Sequence, residues 1–203
     1  MAPNYQKSFF CSLVHSFARP LCKHQPIQIL MNRFIILSIM LSLFRTTSAQ
    51  TPVTVVKEVD LNRYMGTWYE IARLPNSFER GLKCTTATYE LRDDGRVTVI
   101  NRGVDVYDPS KTDEAKGVAW IPDPAQPGKL KVRFFWPFSG DYWIIDLDPD
   151  YQYVLVGSPN HKYLWVLART KFISDEVYLG LLQKAKEDGF ELANLIKVSQ
   201  YCD

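Results

Sequence analysis

Hydrophobic and polar residues alternate in short runs between residues 66 and 169, and turn-forming residues separate these runs. Such alternation is typical of half-buried strands joined by turns. The pattern predicts eight strands, which begin near Trp68 and continue at 87–91, 97–101, 116–121, 130–136, 142–147, 151–156 and 163–169. Strands at this even spacing favour an antiparallel sandwich or an up-and-down barrel.

One helix is predicted after the eighth strand. Ser174 is suited to cap its first turn, because a serine hydroxyl accepts hydrogen bonds from the free backbone amides there. Apolar residues recur at helical spacing from Val177, and Gly189 is suited to end the helix. We expect the apolar stripe to pack against the outside of the β-structure. A last short strand is expected near 195–198.

Side chains alternate between the two faces of a strand, and this alternation, or parity, assigns several residues to one inner face. These residues are Ala87, Tyr89, Leu91, Val97, Val99, Gly117, Ala119, Val132, Phe134 and Trp136. The small Gly117 and Ala119 would leave room, whereas Phe134 and Trp136 would supply apolar wall. This combination fits a lined pocket that accepts an acyl chain. Parity alone leaves open the alternative that these side chains simply pack against one another.

Residues 1–30 show no hydrophobic periodicity, and we expect a non-native or disordered extension. Four candidate metal ligands fall there, namely Cys11, His15, Cys22 and His24. Their spacing differs from that of zinc fingers, so an unstructured stretch is favoured over a zinc site.

Residues 31–49 have the pattern of a secretory signal peptide. A basic residue precedes a mostly apolar run at 34–44, and small residues end the segment at Ala49. The run is shorter than the roughly 20 residues that a membrane-spanning helix needs. Because this signal begins at an internal methionine, we hypothesise that translation starts at Met31. The exported domain would then comprise residues 50–203.

Export changes the interpretation of charge and of cysteine. Residues 1–49 contain five basic residues and no acid, so the remainder carries 19 basic and 22 acidic residues, a net charge of −3. This balance gives no reason to propose nucleic acid as a partner.

Outside the cytosol, Cys84 and Cys202 are expected to pair. The alternative is that Cys84 is a free nucleophile, with His161 as the single histidine of the exported part.

Three short motifs resemble the conserved blocks of the lipocalin family. They are Gly66-Thr67-Trp68-Tyr69, the turn Asp148-Pro149-Asp150-Tyr151, and Arg169 within Leu-Ala-Arg-Thr. The segment 75–81 also resembles the first loop of the bacterial (Blc-type) and apolipoprotein D-like members. The resemblance covers about residues 55–202. It departs from the bacterial members in lacking a cysteine just after the signal peptide, so a lipoprotein anchor is not expected.

The resemblance implies an all-β fold: an eight-stranded antiparallel up-and-down lipocalin barrel with one C-terminal helix packed outside. It implies reversible binding of fatty acids or lysophospholipids for membrane maintenance under stress, with no enzyme activity, catalytic residue, cofactor or metal. Location would be periplasmic or secreted. The resemblance also allows association with a membrane surface, such as the outer membrane, and a homodimer that pairs open barrel ends.

The resemblance assigns two sets of residues. Gly66, Trp68 and Arg169 would form the structural barrel closure, with the guanidinium over the indole. The ligand-binding candidates lie around the cavity and its mouth: Tyr89, Val99, Ala119, Phe134, Trp136, Phe138 and Tyr142.

Two other functions remain as alternatives. A barrel enzyme acting on a lipid would use carboxylates, and the candidates Glu70, Glu90 and Asp146 are scattered along the sequence without a nearby histidine. A tetrapyrrole or other pigment carrier would need an axial ligand if the pigment were haem, for which His161 is the one candidate in the exported part.

Overall fold

The computed structural model describes residues 51–202. The predictions for the N-terminal extension, the zinc alternative, the signal peptide and the start at Met31 lie outside the described residues. A short helix, α1 (Leu61–Tyr64), precedes the sheet, and a longer helix, α2 (Asp175–Glu187), follows its eighth strand. Neither helix is long and apolar enough to cross a membrane, a finding that applies to the described residues.

The strands follow one another along the chain with short connections. They are β1 (Gly66–Arg73), β2 (Leu82–Leu91), β3 (Val97–Asp105), β4 (Thr112–Trp120), β5 (Lys129–Phe135), β6 (Phe138–Leu147), β7 (Tyr153–Gly157), β8 (Leu164–Ala168) and β9 (Ile196–Lys197). Each of β2 to β7 pairs with the next strand in antiparallel fashion, and β1 pairs with both β8 and β2. The predicted eight-stranded antiparallel barrel with a helix outside is therefore confirmed.

The antiparallel order sorts the connections between two ends of the barrel. The connections that follow β1, β3, β5 and β7 lie at one end. The start of β1 and the connections that follow β2, β4 and β6 lie at the other end. This sorting determines which loops can surround an opening into the barrel.

Some strand bounds differ from the sequence prediction. β4 begins at Thr112 rather than Lys116, because its polar, exposed first residues pair with the second half of β3. β7 begins at Tyr153, since Tyr151 has a φ of 59° and its amide donates to Asp148 O in a turn. In the hairpin between β5 and β6, Phe135 pairs with Phe138, so the turn is tighter than the interval 137–141 left between the two predicted strands.

Two apolar clusters lie on opposite sides of the barrel wall. The inner cluster fills the barrel interior, which we call the lumen, and includes Trp68, Tyr89 and Ile144. The outer cluster includes Ile71 and Leu155 together with Leu181 of α2, so the helix covers the outer face of the wall. Both faces of this part of the sheet are thus apolar.

The caps of α2 agree with the sequence prediction. The Ser174 hydroxyl accepts a hydrogen bond from Val177 N at 3.3 Å. Gly189 has a φ of 85°, in the left-handed region that glycine adopts without strain. The apolar stripe of the helix packs on the barrel, as predicted from its spacing.

The last described residues form part of the barrel wall. β1 pairs with β2 over residues 66–69 and then separates from it. Residues 196–202, which we call the C-terminal tail, occupy the resulting gap: Val198 N donates to Ile71 O at 2.9 Å, and Cys84 N donates to Ser199 O at 2.8 Å. The tail therefore connects two strands that no longer pair directly.

A buried side chain and a disulfide hold the tail in place. Gln200 is 3% exposed, and its Nε2 donates to the backbone oxygens of Glu70 at 2.8 Å and Thr85 at 3.0 Å. Cys84 and Cys202 form a disulfide across a sequence separation of 118 residues. The predicted pairing is confirmed, and Cys84 is not a free thiol in this structure.

Candidate functional site: the barrel lumen

Trp68 and Arg169 seal one end of the barrel. The Trp68 side chain is fully buried, and its Nε1 donates to Tyr64 O at 2.9 Å. The Arg169 guanidinium carbon lies 3.9 Å from the centre of the Trp68 ring, a cation–π geometry. Arg169 Nη1 and Nη2 donate to backbone oxygens of Thr67 and of residues 63–65. We call this end the closed end and the opposite end the open end.

Gly66 opens β1 beside this contact. Its φ is 94°, which L side chains rarely adopt, and a Cβ atom there would lie 3.4 Å from Arg169 Nη1. A residue without a side chain lets the chain turn from α1 into β1 at this point. The three residues assigned to barrel closure, Gly66, Trp68 and Arg169, therefore lie together.

Three tyrosines form a hydrogen-bonded chain across the lumen, which we call the tyrosine bridge. Tyr89 lies on β2 and Tyr142 on β6, four strands away in an eight-stranded ring, so the two side chains meet from opposite walls. Their hydroxyl oxygens are 2.9 Å apart, and Tyr142 Oη lies 2.7 Å from Tyr64 Oη. The Tyr64 ring in turn lies 5.0 Å from the Trp68 ring.

Burial affects the charge state of the bridge. Removal from water raises the pKa of Tyr64, Tyr89 and Tyr142 above the ordinary tyrosine value. All three therefore remain neutral phenols near neutral pH. Neutral hydroxyls can both donate and accept, which allows the bridge to form without a buried charge.

A small apolar cavity lies beside the bridge. Its lining residues are Tyr64, Met65, Tyr89, Val97, Val99, Ala119, Leu130, Val132 and Tyr142. The cavity volume is about 10 Å³, close to the minimum for a single water. The lumen is therefore apolar but narrow, and an acyl chain could pass deep into it only if the bridge parts.

A buried ionic cluster lies on the β1 side of the lumen. Arg73 Nη1 donates to Glu70 Oε1 at 2.6 Å, and Arg73 Nε lies 3.9 Å from Glu79 Oε2. Residues 70 and 73 would face opposite sides of a regular strand, but the register shift between Glu70 and Ala72 brings them together. We call these three residues the Glu70–Arg73–Glu79 cluster.

The cluster also fixes the loop after β1. Arg73 Nη2 donates to the backbone oxygens of Glu79 and Leu82 at 2.8 and 2.9 Å. Glu79 Oε2 accepts from Trp165 Nε1 of β8 at 3.0 Å. The loop at 74–81 is thus tied to the inner wall from two strands.

Burial raises the pKa of Glu70 to about 8, with a further increase from the nearby Glu79 carboxylate and an opposing effect of Arg73. At neutral pH the protonated form of Glu70 is therefore favoured. With its donors directed at protein acceptors, Arg73 is not positioned to bind an anionic ligand group.

The structure divides the seven ligand-binding candidates into three groups. Four of them line the cavity: Tyr89, Val99, Ala119 and Tyr142. Phe134 packs against the inner cluster, and its ring occupies the space beside Gly117, where a Cβ atom would lie 2.8 Å from it. Trp136 and Phe138 lie exposed at the open end, at 81% and 77%.

Two inner-face predictions are wrong. Trp136 was expected on the buried face, but the register shift between Val132 and Phe135 interrupts the alternation, and Trp136 follows the end of β5. Leu91 is 45% exposed because it ends β2 beside a turn at the closed end. The room expected beside Gly117 is filled by Phe134, as described above.

Sequence reasoning missed Tyr64 and Met65, which line the cavity from the segment before β1. A signal was present: Asp60 caps α1 by accepting from Asn62 N at 2.9 Å, and an Asp before a short polar and apolar run is a typical helix start. The cluster partners Arg73 and Glu79 were also missed, since their approach depends on a β-bulge.

The carboxylates considered for an enzyme do not come together. Glu70 lies with Arg73 and Glu79, Glu90 is exposed on β2, and Asp146 accepts from its neighbour Leu147 N on β6. Within residues 51–202, no group of three His, Cys, Asp or Glu side chains is arranged to hold a metal ion.

His161, the haem-ligand candidate, lies outside the lumen. Its Nε2 is 2.7 Å from Asp188 O, and its ring is 4.7 Å from that of Phe190 in the outer cluster. A wider groove of about 600 Å³ runs along the end of α2, also on the outside of the barrel. His161 and the residues of this groove are not among those that line the cavity beside the tyrosine bridge.

Comparisons with known proteins agree with this architecture. The family profile described as "Lipocalin-like domain" matches residues 59–200. Outer membrane lipoprotein Blc of Citrobacter freundii is 48% identical over 158 residues, covering 75% of this chain and 88% of the relative. Apolipoprotein D of Cavia porcellus is 35% identical over 130 residues, covering 60% and 67%.

Among solved structures, insecticyanin from the tobacco hornworm Manduca sexta has a TM-score of 0.58 at 24% identity. The match covers 72% of this chain and 84% of insecticyanin. At this identity the similarity concerns the fold.

Proposed function

Because this chain belongs to the lipocalin family, we propose that its barrel reversibly binds a fatty acid or a lysophospholipid and carries it outside the cytoplasm. The observation that supports this most is the lumen itself, which is apolar, sealed at one end by Trp68 and Arg169, and closed all round by hydrogen-bonded strands. A lumen of this shape suits a ligand with a thin apolar chain.

The energetics favour a chain over a compact polar ligand. Each buried CH₂ contributes about 0.8 kcal/mol, so several methylenes offset the loss of the two hydrogen bonds of the tyrosine bridge. The Arg73 guanidinium already donates hydrogen bonds to acceptors within the protein. A charged head group would therefore remain at the open end, in contact with water.

The ligand candidates take two roles in this proposal. Tyr89, Val99, Ala119, Phe134 and Tyr142 contact the apolar chain inside the lumen, and Trp136 and Phe138 contact the ligand where it emerges. Binding and release require no bond to be made or broken in the ligand, so we propose no enzyme activity. Haem is less favoured as a ligand, because His161, the candidate axial ligand, lies outside the lumen.

Location and role follow from the relatives. A relative named outer membrane lipoprotein acts, by its name, at a membrane outside the cytoplasm. We propose that this chain is likewise exported and moves lipids for membrane maintenance. The proposed domain that does so is residues 50–203.

A lumen-filling variant tests the site. Ala119→Phe and Val99→Phe place a ring in the cavity and should abolish binding of a fluorescent fatty acid. Ala125→Phe, on the exposed β4–β5 connection, should bind it like wild type. Thermal melts check that each variant folds. Unchanged binding in a folded Ala119→Phe or Val99→Phe protein would overturn the assignment of the lumen.

Native mass spectrometry of the exported protein identifies the ligand. We expect a bound species whose mass, after extraction, matches a fatty acid or lysophospholipid. The same spectrum reports whether a homodimer forms. A visible absorption band with a tetrapyrrole mass would instead favour the pigment alternative.

A further inference from the structure

Three aromatic side chains meet on the inner wall at the open end of the barrel. Trp165 lies on β8, where it pairs with Val156 of the inner cluster and packs against that cluster. Tyr163 lies in the connection from β7 to β8, and Phe78 lies in the connection from β1 to β2, both at the open end. We call Phe78, Tyr163 and Trp165 the aromatic corner.

The rings of the aromatic corner come from two separate loops and contact one another. The ring centres of Tyr163 and Trp165 are 5.7 Å apart, and their planes differ by 15°. The Phe78 ring lies 5.7 Å from the Tyr163 ring and 6.3 Å from the Trp165 ring, tilted by 49° and 36°. Phe78 is 54% exposed, and the other two side chains are half-buried. The corner therefore offers aromatic surface that packing within the barrel leaves accessible at the mouth of the lumen.

Carboxyl groups lie beside this aromatic surface. Trp165 Nε1 donates to Glu79 Oε2 at 3.0 Å, and Glu79 is only 9% exposed. Glu70 adds a second carboxyl group, and both acidic side chains lie against the one guanidinium of Arg73. A hydrogen bond to a carboxyl oxygen polarises the indole, which makes its ring face a better partner for a cation. The surroundings of the corner therefore favour a positively charged group.

Building on the lipid binding proposed above, we propose that the aromatic corner binds the trimethylammonium group of a choline lysophospholipid whose acyl chain lies in the lumen. A quaternary ammonium has no N–H to donate, and aromatic ring faces are its characteristic partners in proteins. The phosphate beside it has two exposed basic side chains available, Arg80 and Lys162, from the same two connections that supply Phe78 and Tyr163.

The same geometry disfavours other head groups. A fatty acid carboxylate needs hydrogen-bond donors, but Trp165 Nε1 and the Arg73 guanidinium already donate to protein oxygens. The primary ammonium of ethanolamine needs acceptors for three N–H groups. The buried Glu79 Oε2 already accepts from Trp165 and Asn76. Among lysophospholipids with one acyl chain, the corner should therefore select choline.

Competition among three lipids with the same acyl chain tests the head-group assignment. Lysophosphatidylcholine, lysophosphatidylethanolamine and the free fatty acid each displace a fluorescent fatty acid from the exported protein, at concentrations below their critical micelle concentrations. We expect lysophosphatidylcholine to bind roughly tenfold more tightly than lysophosphatidylethanolamine, as one desolvated cation–π contact provides. Equal affinities, or tighter binding of the ethanolamine lipid, would overturn the assignment.

Matched variants locate the selectivity. Phe78→Leu and Tyr163→Leu remove a ring face but keep apolar bulk, so the choline preference should fall to near one while fatty acid binding stays at the wild-type level. Tyr107→Leu removes an aromatic side chain that is 90% exposed on the β3–β4 connection and should keep the wild-type preference. Thermal melts check that each variant folds. A preference that survives in both corner variants, or that Tyr107→Leu also removes, contradicts the proposal.

Nuclear Overhauser effects in the wild-type complex provide a test that needs no variant. The N-methyl protons of bound lysophosphatidylcholine should show contacts with ring protons of Tyr163 and Trp165, whereas contacts with Trp136 or Phe138 alone would overturn the proposal. If none of the three lipids binds, the proposed lipid-binding function fails and this proposal fails with it. If all three bind without a head-group preference, only the head-group assignment is overturned.

Discussion

The hydroxyls of Tyr89 and Tyr142 meet across the lumen from strands on opposite sides of the barrel, 2.9 Å apart. Tyr142 is the central member of the bridge, because its hydroxyl also contacts that of Tyr64. A ligand chain that enters deeply must separate these groups. In the proposed function, the bridge therefore determines how far into the barrel a ligand chain can reach.

Loosening the bridge should speed up ligand entry. Tyr142→Phe keeps the ring but removes both hydrogen bonds, so we expect a higher association rate for a long-chain fatty acid in stopped-flow fluorescence. Tyr178→Phe, on the outer helix, is the matched control. An association rate that stays at the wild-type value would show that the bridge does not limit entry.

The closed end should make a large contribution to stability. Trp68→Ala removes a fully buried indole and its cation–π partner and should lower the free energy of unfolding by about 3–5 kcal/mol. Trp136→Ala deletes the same side chain at an exposed position and should change it by less than about 0.5 kcal/mol. Urea unfolding measures both, and equal effects would refute the sealing role of Trp68.

The Glu70–Arg73–Glu79 cluster should make stability depend on pH. Unfolded Glu70 loses its proton near its ordinary pKa of 4.5, whereas folded Glu70 keeps it up to about 8. Stability from this group is therefore fully present below 4.5, declines by up to roughly 1.4 kcal/mol per pH unit across that window, and is lost above it.

Glu70→Gln imitates the protonated side chain and should remove this part of the pH dependence. Urea unfolding between pH 5 and 9 provides the test, and Glu90→Gln, at an exposed position on β2, should follow wild type. Parallel curves for wild type and Glu70→Gln would contradict the assignment of the proton to Glu70.

Loss of the disulfide should loosen the C-terminal tail before it affects the rest of the barrel. Replacing both Cys84 and Cys202 with serine removes a link across 118 residues, for which the loop-entropy model predicts about 4–5 kcal/mol of lost stability. Hydrogen exchange should accelerate first at the amides of residues 84 and 198, which donate to Ser199 O in the tail and to Ile71 O in β1, respectively. Equal acceleration throughout the barrel would argue against local release of the tail.

Much of the fold could be predicted from sequence because the period-2 pattern, the turn residues and the caps of α2 are local signals. Two of the failures share one physical cause, a register shift within a strand. At the β5 register shift, alternation no longer reports the side of the sheet, so Trp136 was assigned to the wrong face. At the β1 register shift, the same effect concealed the approach of Glu70 and Arg73.

The site was less predictable than the fold. Parity could place Tyr89 in the lumen, but its contact with Tyr142 depends on barrel closure, which sets strands four apart face to face. Likewise, parity could not reveal that the Phe134 ring takes the space beside Gly117. Contacts across a closed lumen are long-range, and a single sequence carries no direct signal for them.

The C-terminal tail has a consequence for biosynthesis. β1 precedes the other strands in the chain, yet the gap beside its second half is filled by Val198, Ser199 and Gln200, which follow β8 and α2. Strands β1 to β8 can pair before residues 198–200 have been synthesised, but the wall beside Glu70 cannot be completed until these residues are available. We therefore expect fusions that restrict the tail to interfere with the final folding step more than equally large fusions at the N-terminus.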